Sequence, residues 1–142
     1  MIGNSPKTYA TELEGFTTML ANYPIQANIA ALQMTIDAHG TITLDVCLEP
    51  GRLAQGAAEL IEWRRTLAKP EALIERSPNG HTANIAIIGR NPENDTPINV
   101  WLCTVPYAPQ LRTLLAAEGI HPKPDTRHLF HTDLLQLWAI DV

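Results

Sequence analysis

Apolar and polar residues alternate at period two from Ile29 to Leu48, and from residue 52 the pattern switches to helical spacing. Leu32, Met34, Ile36 and Ala38 share one face of a predicted strand, with Gln33, Thr35 and Asp37 on the other. Beyond His39-Gly40, Ile42, Leu44, Val46 and Leu48 repeat the pattern against Thr41, Thr43, Asp45 and Cys47. A glycine between two alternating runs predicts a hairpin, with one face toward a core and one toward water. Residues 52–68 follow as a helix. Its inner stripe is Leu53, Ala57, Leu60, Ile61 and Leu67, while Arg52, Glu59, Glu62 and Arg65 point away. Glu62 and Arg65 stand one turn apart and can pair. Trp63 lies off the stripe, as a boundary residue over the sheet or as an exposed partner anchor.

A first helix is predicted over residues 8–21, where Leu13, Phe16 and Leu20 recur at spacings of three and four. Thr8 or Ser5 would cap it, Gly15 weakens it, and Asn22-Tyr23-Pro24 ends it. After Lys69-Pro70 comes a short strand over 71–76 and a turn at Ser77-Pro78-Asn79-Gly80, where Asn-Gly tolerates positive φ. Hairpin arms follow at 83–89 and 97–105, then a helix at 109–118 with Leu111, Leu114 and Leu115 inward and Gly119 as its stop. In the tail, residues 127–130 suit a short strand or the lead-in to a helix over 133–139; a strand from Leu135 to Val142 is the alternative to that helix.

These elements predict an α+β fold: a single domain over residues 1–142, with an antiparallel sheet of about five strands and helices packed mainly on one face. The expected core holds Leu13, Phe16, Leu32, Met34, Ile36, Ile42, Leu44, Val46, Leu60, Ile61, Ile85, Ile87, Val100, Leu102, Leu111 and Leu115. Thr35, Asp37, Thr43, Asp45, Asn84, Asn99 and Trp101 fall on the opposite face. There Trp101 either meets a partner or is covered by a tail folding back with Leu134, Leu137 or Trp138.

Composition narrows the function more than it identifies it. A chain of 142 residues can bury about 68% of its unfolded surface. Charged residues make up 18%, which is low, and leave apolar surface that a partner chain can cover. The net charge of −5 is dispersed, so there is no basic stripe to attract a nucleic acid. No signal-peptide or membrane-length apolar run is present, and Cys47 and Cys103 do not make a disulfide framework. A cytoplasmic protein with both thiols reduced is the expectation.

The densest cluster of chemical groups is His121, Asp125, His128, His131 and Asp133. On a helix, His128 and His131 would share a side, and imidazole with carboxylate suits zinc, iron or manganese. Pro122 and Pro124 interrupt the segment, and a solvated polar loop accounts for it equally. Ser5 and Ser77 lack a nucleophile elbow, and strand cysteines more often pack than react. No phosphate-binding glycine loop occurs. The run Asn91, Glu93, Asn94, Asp95 lacks the spacing of a calcium loop and reads as a solvated hairpin turn.

The segment Ala10-Thr-Glu-Leu-Glu-Gly-Phe-Thr-Thr-Met-Leu-Ala-Asn-Tyr-Pro24 resembles the leading helix of short, uncharacterised proteins of actinobacterial phages and mobile elements. The helix ending at Trp63-Arg-Arg-Thr-Leu67 is similar too, as is the closing hairpin Ala83-Asn-Ile-Ala-Ile-Ile-Gly89 with Pro97-Ile-Asn-Val-Trp101. The likeness spans about residues 8–105 and carries no catalytic signature. It implies an accessory role in a bacterial or phage cytoplasm.

The expected function is therefore a non-enzymatic interaction protein, either a dimer or a small accessory or inhibitor subunit, with Trp63 and Trp101 as partner-binding residues. The alternative is a small metal-dependent enzyme using the His121–Asp133 cluster.

Overall fold

The computed structural model describes residues 6–22, 29–49 and 52–140. In chain order the elements are α1 (Pro6–Asn22), β1 (Ile29–Ile36), β2 (Ile42–Leu48), α2 (Leu53–Thr66), β3 (Ala68–Arg76), β4 (Thr82–Arg90), β5 (Pro97–Pro106), α3 (Pro109–Ala116), β6 (Arg127–Phe130) and α4 (Leu134–Trp138). The expected cap at Ser5, the stop at Tyr23-Pro24 and the break at Pro50-Gly51 lie outside the described residues.

The fold is α+β, but the sheet has six strands and is mixed, in the order β1-β2-β5-β4-β3-β6. Every neighbouring pair is antiparallel except β2 and β5, which pair in parallel from Leu44↔Ile98 to Cys47↔Trp101. The reason is the crossover at α2. A parallel connection needs a long return path, and α2 supplies it, so β3 runs in the direction of β2. Two reversals later β5 runs the same way and docks beside β2. Side-chain alternation carries no record of strand direction, which is why the expectation of an antiparallel sheet of about five strands is corrected here.

Both short turns follow from their residues. In the β1–β2 turn, the Asp37 carboxylate accepts the backbone N–H of His39 (2.8 Å) and of Thr41 (2.9 Å), and Gly40 takes φ +79°. In the β3–β4 turn, Asn79 Oδ1 accepts the N–H of His81, and Gly80 also sits at φ +79°. The β4–β5 loop is less solvated than its composition predicts. Asn91 is buried and donates to the Gly15 carbonyl, and Thr96 Oγ1 donates to Glu12 at 2.7 Å, so the loop docks on α1.

One apolar cluster lies between the helices and one sheet face. Leu44, Val46, Ile85, Ile87, Ile98 and Val100 line the sheet side, and Met19, Leu60, Leu115 and Leu135 come from the four helices. Trp63 is wholly buried and stacks on Phe16, with centroids 6.2 Å apart and planes 6° from parallel. Two expected core residues are surface residues instead: Leu13 is 43% exposed and Leu32 36%. Met34 and Ile36 are only half-buried. All three strand residues belong to β1, the outermost strand, where helix cover runs out. Both tail elements exist, β6 as a strand and α4 as a helix, and α4 packs on the helical side, where Trp138 lies against Phe130 at 5.1 Å. Among the described residues no helix is long and apolar enough to cross a membrane.

Candidate functional site

The sheet face away from the helices holds the candidate site. Alternation sends Asp45 and Cys47 of β2, and Asn99, Trp101 and Cys103 of β5, to this side, because Leu44, Val46, Ile98, Val100 and Leu102 point into the core. A cavity of about 310 Å³ opens here. Its walls are Ala31 and Gln33 from β1, Asp45 and Cys47 from β2, Trp101 and Cys103 from β5, Asn84 from β4, Glu75 from β3 and Arg127 from β6. All six strands contribute. In a flat sheet the two edge strands would stand about 24 Å apart, at roughly 4.8 Å per strand. Long side chains close that distance, Gln33 from β1 and Arg127 from β6, and between them this face forms a shallow trough.

Hydrogen bonds set the trough's centre. Asp45 Oδ1 accepts from both Asn99 Nδ2 (3.1 Å) and Trp101 Nε1 (3.2 Å), which fixes the indole on a half-buried ring. An aromatic whose polar atom is satisfied and whose face stays accessible is a suitable binding anchor. Among the described residues the tail's apolar side chains do not cover it, contrary to the second expectation for Trp101: Leu134 and Trp138 join the core on the other side, and Leu137 is exposed. At the trough's rim Arg127 Nε donates to Glu75 at 2.6 Å, a pair exposed enough to add little stability.

A bulge shapes one end. Between Ile85↔Leu102 and Ala83↔Val105, two residues of β5, Cys103 and Thr104, oppose the single Asn84 of β4. Thr104 adopts φ +55°, and its N–H donates to Asn84 Oδ1 at 2.9 Å. The extra residue resets the alternation, so Val105 packs against the core. It also leaves Cys103 Sγ 2.9 Å from Cys47 Sγ. Burial, and then the neighbouring Cys47 sulfur, push the Cys103 thiol up to about 12, so it keeps its proton at neutral pH. Among the described residues no histidine lines the cavity to act as a base.

The residues expected to bind metal are not brought together: among the described residues, no three His, Cys, Asp or Glu side chains converge on a point that could hold an ion. His128 lies in a strand rather than a helix, which removes the one-turn spacing from His131. Asp133 pairs with Arg64 at 3.1 Å and lies 3.4 Å from His131 Nδ1. Asp125, at φ +62°, donates its N–H to the carbonyls of Arg76 and Ser77 and so ties the tail to the β3–β4 turn. Trp63 offers no surface to a partner, because its ring is enclosed between α1 and α2. The signal for the cysteine pair lay in the alternation, which put Cys47 and Cys103 on the polar face; the bulge that lets them meet has no sequence signature.

No family model, curated protein or solved structure matches this chain.

Proposed function

We propose that this chain is a non-enzymatic interaction protein of the accessory or inhibitor kind, in a bacterial or phage cytoplasm, and that it engages a second copy of itself along the edge of β1 that no other described strand pairs with. One observation carries the reading. β1 is an eight-residue edge strand, Ile29–Ile36, without a charge or a proline. Exposed edges normally carry such residues to prevent pairing. The other edge follows that rule: β6 has four residues, among them Arg127 and His128.

Self-pairing suits this edge for a further reason. A two-fold axis pairs β1 with its copy in the antiparallel sense, residue i of one opposite residue j of the other, and no register opposes like charges because the strand carries none. The join continues both sheet faces. With the axis at Leu32, that residue meets its counterpart on the helical side, where it is now 36% exposed, and the two troughs lie side by side with both Trp101 rings on one surface. That doubled polar face is the docking surface for a protein partner, with Trp101 as its anchor.

Sedimentation across a wide concentration range tests the reading. The unmodified chain is expected as a dimer and Leu32→Lys as a monomer with a nearly unchanged melting temperature. A monomer throughout, or a dimer indifferent to Leu32→Lys, overturns it.

A further inference from the structure

We propose that Cys47 and Cys103 form a reversible dithiol–disulfide site, oxidised by low-molecular-weight disulfides to a covalent bond between β2 and β5. The two thiols come from adjacent strands and face the same way, and their sulfurs are 2.9 Å apart. That is only about 0.9 Å beyond a disulfide bond length of roughly 2.05 Å. In a regular β5, Cys103 would stand two residues past Trp101, the register partner of Cys47. The bulge at Cys103–Thr104 interrupts that regularity, and Asn84 holds it in place. Bulges of this kind re-aim a side chain, and here the re-aimed side chain is a thiol.

Both cysteines are half-buried and line the 310 Å³ cavity, so a small oxidant can reach them from the open face. Either thiol can attack first, since both cysteines line the cavity, and the route that begins at Cys47 mirrors the one from Cys103. In the first step the Cys47 thiolate forms a bond to one sulfur of the oxidant and expels the other as a thiolate, which takes up a proton. Cys103 then attacks the Cys47 sulfur of the mixed disulfide, gives up its proton and releases the second thiol. Two electrons pass from the cysteine pair to the oxidant, which leaves as two thiols. The product fastens the β1–β2 hairpin to the remaining sheet at its one junction, β2 against β5.

The test uses the unmodified protein incubated with oxidised glutathione. Intact mass should fall by two hydrogens, alkylation should label neither cysteine, and dithiothreitol should restore both. The thermal midpoint of the oxidised form should rise by several degrees. In Cys103→Ser a glutathione adduct should accumulate at Cys47, and in Cys47→Ser at Cys103. Full alkylation of the oxidised sample, stable glutathione adducts on the unmodified chain, or a disulfide between two chains each overturns the site. The mass and alkylation readouts do not depend on non-covalent self-association, since they are taken in denaturant.

Discussion

Trp63 and Trp101 sit on opposite sides of the sheet and do opposite work. Trp63 is enclosed against Phe16, and its Nε1 has no hydrogen-bond partner among the described residues. Its contribution is apolar area and stacking. Trp63→Ala is therefore expected to cost about 3–5 kcal/mol in urea unfolding, whereas Trp101→Ala, on a half-buried ring, should cost less than half of that. Equal losses at the two positions would contradict the placement of Trp101 on an open face. Asp37 gives a pH prediction of known sign. The N–H of Thr41, and then that of His39, holds its carboxyl below the usual 3.8. A lowered folded-state value means a contribution to the hairpin that is fully present above pH 3.8 and is lost as pH falls through the folded value. A carboxyl NMR titration should place the Asp37 midpoint below 3.8; a midpoint at or above it would remove the turn's acceptor role.

The elements divide into those the side-chain pattern determines and those that contacts determine. Alternation located β2, β4 and β5 because each has one face on a continuous core, and helical spacing located α2 and α3 for the same reason; β1 carries the same alternation, but only Met34 of it packs on that core. β3 begins earlier than expected, at Ala68. Pro70 reads as a stop after α2, yet it lies within a bulge where Lys69 takes φ +50° and two residues oppose Gly89, so no ladder N–H is lost there. A side chain at Gly89 would meet Leu67 Cβ at 2.9 Å and the Ala68 carbonyl at 3.0 Å, a crowding no local pattern announces. β1 was legible as a strand but not as an edge, which is why Leu32 was expected inside. Its edge position makes a prediction for hydrogen exchange. In the monomeric Leu32→Lys chain, β1 amides should exchange through local opening, while those of β4, flanked by β5 and β3, should exchange only on global unfolding. Equal protection in the two strands would show that the hairpin and the central strands open as one unit.

At the scale of the whole molecule, the open face was legible and the trough was not. Period-two alternation assigned Asp45, Asn99 and Trp101 to one side, but the cavity's lining, the strand order and the Thr104 bulge arise from packing among distant segments. The histidine cluster shows the opposite failure: residues close in sequence that folding does not bring together. The parallel pair of β2 and β5 also sets a schedule on the ribosome. Leu44 is synthesised 54 positions before its partner Ile98. At about 5–20 residues per second, the nascent β1–β2 hairpin waits roughly 3–11 s for the strand that completes its inner edge. During that wait both edges of the hairpin, with their main-chain donors and acceptors, are open to whatever strand comes first, so crowded polysomes are where this protein is most exposed to mispairing.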